Sequence, residues 1–481
     1  MDEQIAVVGN RQGLLGFEYE EQGRDCRATA YAGLPLVLEM MRALGVNRSI
    51  EEHVDTRRVR REDGFTDTEL VESVVLMLAA GGECCEDIGM LSGDEALVEM
   101  LDQKLPSSPV LKQFFYRFHD DKRNEEIAKI RALNPSYVPE QTEALRGLAR
   151  VNERLLAQLH KRSEQLDATL DLDAKVHPSD KREAQMAYTG ERGYQPTVVV
   201  WAEQDVIVAD EFRDGNVPAQ SGVLRVLKQA VEALPEGVEQ IYFRSDSAAY
   251  QHEVIDWCDS EEQDRGRGKN NKIVFAISAD ISPQLRAVLE AVEEERWHSD
   301  PDDACRFWCE VDYVPSKPYE NKHSKPQRYI GVRVVPRQRE LFADGSEVKY
   351  FAVVTNDWER SGLEILRWHR GKAGTVEHVH HVLSNELGAG VLPFARFSSN
   401  AAWYRLNVLT YNVLSAMRRL VLPKQLSRAR PKKLRYRVFC IAGQIIRHAR
   451  RLIVRLANKW VWKESFTLWQ LRRRILCVAR L

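Results

Sequence analysis

The sequence predicts an α/β protein with a helical front end, on three observations. Residues from about 34 to 160 place apolar side chains at three- and four-residue spacings, the period of an amphipathic helix. At Gln165 the period changes to two. From there to Ser278 the runs read three strands, helix, strand, helix, strand. A chain of 481 residues with 44% apolar and 29% charged residues is ample for roughly three domains with cores, which excludes global disorder and a fibre.

In chain order, helices are expected over LPLVLEMMRAL (34 to 44), TDTELVESVVLMLAA (66 to 80), DEALVEMLDQ (94 to 103), SSPVLKQFFYRFHD (107 to 120) and from about Pro139 to Glu164. Asp67 is the expected N-cap of the second, with Glu69 in its first turn. These form an N-terminal all-helical domain, 1–160. In QLDATLDLDAKVH, Leu166, Ala168, Leu170, Leu172, Ala174 and Val176 alternate with Asp167, Thr169, Asp171, Asp173 and Lys175, so opposite faces of one strand are expected. PTVVVWAEQ and DVIVADEF follow as strands, then a turn at Asp214-Gly215-Asn216 and a helix from Ala219 to Leu234. QIYFR, HEVIDWC and KIVFAIS complete a first core part, 161–278, as strand, helix and strand. Residues 279–350 read as a β-rich insertion with its own strands, YIGVRVV among them, after a helix from about Gln284 to Glu294. KYFAVVTN (349 to 356) is a further strand at its end, and helices return in a second core part, 351–420. The end, 421–481, reads as a basic helical segment.

Net charge is only −2, but from Arg418 onward 19 Lys and Arg face one acid, Glu464, so this segment is +18 and the remainder −20. A detached basic end suggests a polyanion partner held by counterion release, with a solvated basic tail as the plain alternative. Arg447, Arg450, Arg451 and Arg455 fall at helical spacings opposite an apolar stripe and could line a DNA backbone; a membrane-surface helix would share the pattern. Eight scattered Cys fit reduced thiols, and the acidic start MDEQIAVVGN has no apolar leader core. A soluble, cytoplasmic protein with no membrane partner is expected.

The acids that carry chemistry are Asp171 and Asp173 on one strand face, Asp246 just past a strand end, and Glu377 in a helix flanked by Arg370 and Lys372. Carboxylates in an apolar strand are costly unless they meet a cation or water. Convergence of two or three would suit Mg2+, which prefers oxygen ligands, and a pair of ions can serve both the attacking and leaving oxygens of a phosphodiester. The plain alternative is that each Asp is a turn or edge residue. In VEHVHHV, Glu377 and His381 are four apart and could bind a transition metal, or His378, His380 and His381 could simply pack around their helix.

The blocks LDLDA (170 to 174), FRDGN (212 to 216), YFRSDSAAYQ (242 to 251), WHRGKAGTVEHVHHVLSNELGAGVLP (368 to 393) and FSSNAAWYRLNVLTYNVL (397 to 414) resemble the DDE transposases of bacterial insertion sequences. The resemblance runs from about Leu34 to Leu471. It implies an RNase-H-like catalytic core interrupted by a β-strand insertion, with the helical front end as a DNA-binding or dimerisation domain. Asp173, Asp246 and Glu377 would be the catalytic acids holding two Mg2+ ions, replaceable by Mn2+, with Asp171 their neighbour and substitute in the metal site. Arg370 and Lys372 would contact DNA phosphate, and Trp297 of the insertion would stack on a flipped base, with Trp308 and Trp358 as alternatives. Ser384 departs from the family, which commonly has Lys there, and puts one phosphate contact in doubt. The implied activity is cut-and-paste transposition, with the inverted-repeat ends and target as double-stranded DNA partners and at least a homodimer on DNA, in a bacterial cytoplasm at the nucleoid. A DNA-binding protein that no longer cleaves, and an RNase-H-like nuclease without strand joining, are the alternatives.

Overall fold

The computed structural model describes residues 27–56, 64–260, 272–315, 327–336, 342, 346–457 and 466–480. A short strand, β1 (Ala28–Thr29), leads into eight helices: α1 (Pro35–Ala43), α2 (Val46–His53), α3 (Asp67–Ala80), α4 (Ile88–Ser92), α5 (Glu95–Leu101), α6 (Ser108–Tyr116), α7 (Asp121–Leu133) and α8 (Glu143–Arg162). The expected helices are present, with α2, α4 and α7 in addition. The cap of α3 differs by one residue. Thr66 is the N-cap, its hydroxyl accepting from Glu69 N at 3.1 Å while the Glu69 carboxylate accepts from Thr66 N at 2.7 Å. Asp67 instead accepts from Thr56 N and Oγ1 at 2.8 and 2.7 Å, closing the loop ahead of the helix.

The period-two segment forms β2 (Asp167–Ala174), followed by the small strands β3 (His177–Pro178), β4 (Gln185–Met186) and β5 (Arg192–Tyr194), then β6 (Thr197–Trp201) and β7 (Val206–Glu211). Next come α9 (Val223–Ala233), β8 (Gln240–Ser245), α10 (His252–Asp259), β9 (Val274–Ser278) and α11 (Pro283–Glu290). Strands β10 (His298–Asp300), β11 (Asp303–Val311), β12 (Arg328–Val334) and β13 (Lys349–Thr355) complete one nine-stranded sheet, in the order β10-β11-β12-β13-β9-β8-β2-β6-β7. β2, β8 and β9 run parallel, and every other pairing is antiparallel. Thus the strands of 279–350 do not form a sheet of their own. β13 pairs with β9 through Val353, Val354 and Thr355, so this stretch lengthens the sheet that holds β2. The interior position of β2 also explains why Thr169 and Asp171 are as buried as Ala168, Leu170 and Leu172: both faces are covered.

Three helices follow, α12 (Gly362–Arg370), α13 (Val376–Asn385) and α14 (Phe397–Leu420). α14 is buried on all sides from Phe397 to Arg418 and packs against α1, α3, α6, α8 and β7. Its polar side chains are therefore matched with partners. The Asn412 side chain accepts from Ile207 N and donates to Ile207 O, both at 2.8 Å, closing the free edge of β7. Arg405 grips the Asp210 carboxylate with Nε at 3.0 Å and Nη2 at 3.0 Å, both residues buried.

The basic end departs from expectation. After α15 (Pro431–Leu434), residues Gly443–His448 and Arg451–Leu456 are strands β14 and β15 of a hairpin that pairs with β1. The β-branched pairs Ile445-Ile446 and Ile453-Val454 favour a strand, and Ala449 and Arg450 take the positive φ of a tight hairpin turn. Arg451 and Arg455 consequently share one face of the hairpin while Arg447 is on the other, bonded to Glu99 at 2.6 Å, and Arg450 is in the turn. The four arginines do not make one stripe. A helix, α16 (Leu468–Arg480), does close the chain. No helix among the described residues is long and apolar enough to cross a membrane, and the seven described cysteines are free.

Replacing Arg405 with Ala leaves Asp210 buried without its cation, and a stability loss of ~3–5 kcal/mol is expected. Urea unfolding of the two proteins measures it, and a loss below ~1 kcal/mol would count against this pair as the tie between α14 and β7.

Candidate active site

Asp171 and Asp173 leave the same face of β2, two residues apart. In the parallel register Asp171 stands opposite Arg244 and Leu172 opposite Ser245 of β8, so the next residue of each strand sets Asp173 beside Asp246. The third acid, Glu377, occupies the exposed first turn of α13, a helix that packs on β2 and β6.

Asp171 itself is engaged. It is fully buried, and Arg244 binds it in a fork, Nε to Oδ1 at 2.6 Å and Nη2 to Oδ2 at 2.7 Å. The Thr375 hydroxyl also donates to Oδ2. The remaining Arg244 nitrogen, Nη1, donates to Trp368 O at 2.5 Å, at the end of α12. A Cβ on Gly371 would come 2.6 Å from that nitrogen, so the backbone must be bare there. Asp171 is thereby removed from the set of free metal ligands that the sequence suggested. Its carboxylate joins β2 and β8 to the turn between α12 and α13. His369 adds a second tie, donating from Nε2 to Ser245 O at 3.1 Å, one residue before Asp246. Burial holds this imidazole down at about 4, so it is neutral at pH 7.

Asp173 is the perturbed acid. Burial pushes it from 3.8 up to about 6, Lys372 pulls it down, and the neighbouring Asp246 and Glu377 raise it again. The buried Lys372 places Nζ 3.8 Å from Asp173 Oδ1. His380 Nε2 stands 3.8 Å from Oδ2, but burial, with His177 and Lys175 nearby, holds His380 down at about 3, so this contact is no ion pair. Asp246 is half-buried and accepts from Ala248 N at 3.1 Å. Lys175 extends from the end of β2 to donate to Ser384 Oγ at 3.2 Å. A lysine thus reaches position 384 from another element, which spacing within the helix could not reveal.

The three acids share one electrostatic field without sharing one coordination sphere. Among the described residues no group of three His, Cys, Asp or Glu side chains is gathered closely enough to hold an ion. Their chemistry nevertheless fits a divalent cation: the donors are carboxylate oxygens, and Asp173 is held up by burial and by its two acidic neighbours, a strain that added positive charge relieves. The transition-metal reading of α13 has no such support. His380 points inward, while His381 is exposed with Nδ1 3.1 Å from Asn385 Nδ2.

Other sequence candidates are used elsewhere. Arg370 Nη1 binds the buried Asp300 at 2.7 Å, tying α12 to β10. Trp297 is buried, with the Arg333 guanidinium 4.8 Å from its ring centre and Tyr350 beside it, so packing covers the face that stacking on a base requires. Trp308 lies against His298, whereas Trp358 is 64% exposed. Sequence reasoning missed Arg244 and Thr375 altogether. Arg244 could have been found as a cation inside an otherwise apolar strand run, two residues before an acid.

The ends of two adjacent parallel strands thus carry Asp173 and Asp246 side by side, with the Lys372 ammonium 3.8 Å from the first of them. The chain belongs to the DDE transposases, because the family described as transposase DDE domain group 1 matches residues 18–475. Transposases of this type are nucleic-acid-cleaving and transferring enzymes and generally use divalent metal ions. No curated protein matches the chain. Among solved structures, the chain is similar to a piggyBac transposase synaptic complex with hairpin DNA, determined by cryo-electron microscopy. Identity is 10%, over 95% of this chain and 82% of that one, with a TM-score of 0.45.

The raised Asp173 predicts a pH-dependent gain from Asp173→Asn. The native state holds this proton more tightly than the unfolded chain, so its contribution to stability is present below pH ~4 and is lost as pH rises through about 6. In metal-free buffer the variant should be more stable than the parent by on the order of 2 kcal/mol at pH 7.5 and equal to it at pH 3.5. Thermal unfolding at both pH values tests this, and an equal difference at both would refute it.

Proposed function

We propose that the protein is the transposase of a bacterial insertion sequence, cutting the element's ends and joining them to target DNA by metal-dependent phosphoryl transfer. The observation that carries this reading is the single field shared by Asp173, Asp246 and Glu377, set up by the Asp171–Arg244 link beneath it. In this reading β7-β6-β2-β8-β9 is the RNase-H-like core, residues 279–350 are its insertion, and 1–160 with 421–481 are the flanking DNA-handling regions.

Asp173, Asp246 and Glu377 would hold two Mg2+ ions, or Mn2+ in their place, whose contribution when bound is to activate the attacking oxygen and stabilise the leaving one. Lys372 supplies fixed positive charge beside Asp173, and Lys175 beside Ser384 supplies a phosphate contact. Both charges are preorganised, so they favour the added negative charge of the five-coordinate phosphorus without rearranging. Neutral His369 keeps the β8 end in place and gives up no proton at neutral pH. Water opens the phosphodiester at the element boundary, releasing a 3'-hydroxyl. That hydroxyl then attacks another phosphodiester, and its oxygen takes the place of the leaving oxygen. Two ends must be handled together, which favours a homodimer on DNA.

The test is nicking of duplex DNA carrying the element's terminal repeats, in Mg2+ or Mn2+. Wild type should nick, and Asp246→Ala should lower the rate at least ~100-fold without loss of the fold. Equal rates for the two proteins would remove Asp246 from the site. No nicking by wild type in either metal, with binding intact, would favour the non-cleaving DNA-binding protein.

A further inference from the structure

A second concentration of positive charge lies away from the acids, where α8 runs toward the start of β2. Asp173 is six residues along that strand from Asp167, ~20 Å at the rise of a β-strand. Here α1 and α2 meet at Gly45, whose φ of +68° turns the chain between them. The first bond closing α2 runs from Ser49 N to Gly45 O at 3.1 Å, so the amides ahead of it have no helical partner, and no side chain caps them.

This end of α2 opens into a cavity of about 440 Å³ walled by Arg42, Arg48, Ser49, Arg154 and Arg162, with Ala479 of α16 closing one side. Two of the arginines are part of the frame. Arg42 binds Glu72 at 3.2 Å, and Arg162 donates to Val478 O at 2.8 Å. The other two, Arg48 and Arg154, are exposed and make no ion pair among the described residues. Among the described residues, Glu52 is the one carboxylate on the wall. Independently of the helix end and the charge, Ser49, a residue that lines the cavity, is 2% exposed, and its hydroxyl has no partner among the described residues. A buried hydroxyl without a partner is costly unless something arrives to bond it.

Guanidinium forks, a hydroxyl and free helix amides are all donors, and together they match a tetrahedral oxyanion. We propose that this cavity binds a backbone phosphate of double-stranded DNA, making a second duplex contact remote from Asp173, Asp246 and Glu377. The identity of the polyanion rests on the DNA-processing reading above. Arg48 and Arg154 grip the phosphate, Ser49 Oγ and the α2 amides receive its oxygens, and Arg42 and Arg162 hold the walls.

Binding of the full chain to a random-sequence duplex, followed by fluorescence anisotropy over a series of salt concentrations, tests this without depending on cleavage. The double variant Arg48→Gln, Arg154→Gln should bind at least ~10-fold more weakly, with a log K against log salt slope shallower by about 2. Ser49→Ala should weaken binding with little change of slope, and it carries the test if the double variant does not fold by circular dichroism. Wild-type affinity and slope in the double variant, or wild-type affinity in a folded Ser49→Ala, would overturn the proposal. So would loss of inorganic phosphate binding in the double variant with duplex binding unchanged, since the cavity would then serve a small anion. Failure of wild type to nick DNA bears on the transposase reading alone, because these binding measurements stand apart from it.

Discussion

The buried fork between Arg244 and Asp171 is the constraint on which the site depends. Two charges taken out of water are expensive, and such a pair is tolerable only when its geometry is good and its remaining donors and acceptors are filled. Here they are filled by Thr375 on one side and by Trp368 O on the other. The consequence is mechanical. β2 and β8 carry Asp173 and Asp246, and the turn after α12 leads directly into the helix with Glu377. Fastening that turn to both strands brings three acids from distant parts of the chain into one field. The bare backbone of Gly371 is part of the same device, because it lets the guanidinium reach the end of α12.

The rest of the molecule supports this arrangement by controlling the sheet around it. Edge strand β7 would expose unpaired backbone groups, and α14 covers it with the Asn412 amide and the Arg405–Asp210 pair. On the other side the strands of 298–355 continue the sheet instead of standing apart, so β8 and β2 are central and cannot slide. Around the acids, charge is balanced by lysines held in place. Lys372 comes from the turn before α13 and Lys175 from the end of β2, while burial, helped by these lysines, keeps His369 and His380 neutral. The charge of the site is thus set by carboxylates and ammonium groups, with imidazoles acting as packing and hydrogen-bonding groups.

Much of the architecture was legible in the order of residues, for a physical reason. Hydrophobic period is a local property, and it located β2, β6, β7, β8, β9, α8 and α9 to within a few residues. It failed where two structures share a pattern. Arg447, Arg450, Arg451 and Arg455 satisfy helical spacing, yet Ile445, Ile446, Ile453 and Val454 flank a turn that closes more favourably as a hairpin paired with β1. Which strand the insertion would pair with was not legible for a related reason, since strand pairing partners are a long-range choice that no window of sequence contains.

By itself, the sequence determined the helical front, the alternation that makes β2 a strand, the placing of Asp173 on that strand, Asp246 just past a strand end and Glu377 in a helix, and the strongly basic terminus. Each follows from the spacing or charge of neighbouring residues. Only the tertiary structure decided which acid is spent on structure and which remain available. Asp171 and Asp173 are equivalent in a period-two pattern, and they differ because Arg244 stands opposite one and Asp246 follows beside the other. The same holds for Arg370 and Trp297, claimed by Asp300 and Arg333 from segments distant in sequence, and for Lys175, which reaches Ser384 across the fold. Pairing energies of this kind depend on distances of a few ångströms between remote residues, and those distances exist only once the sheet has assembled.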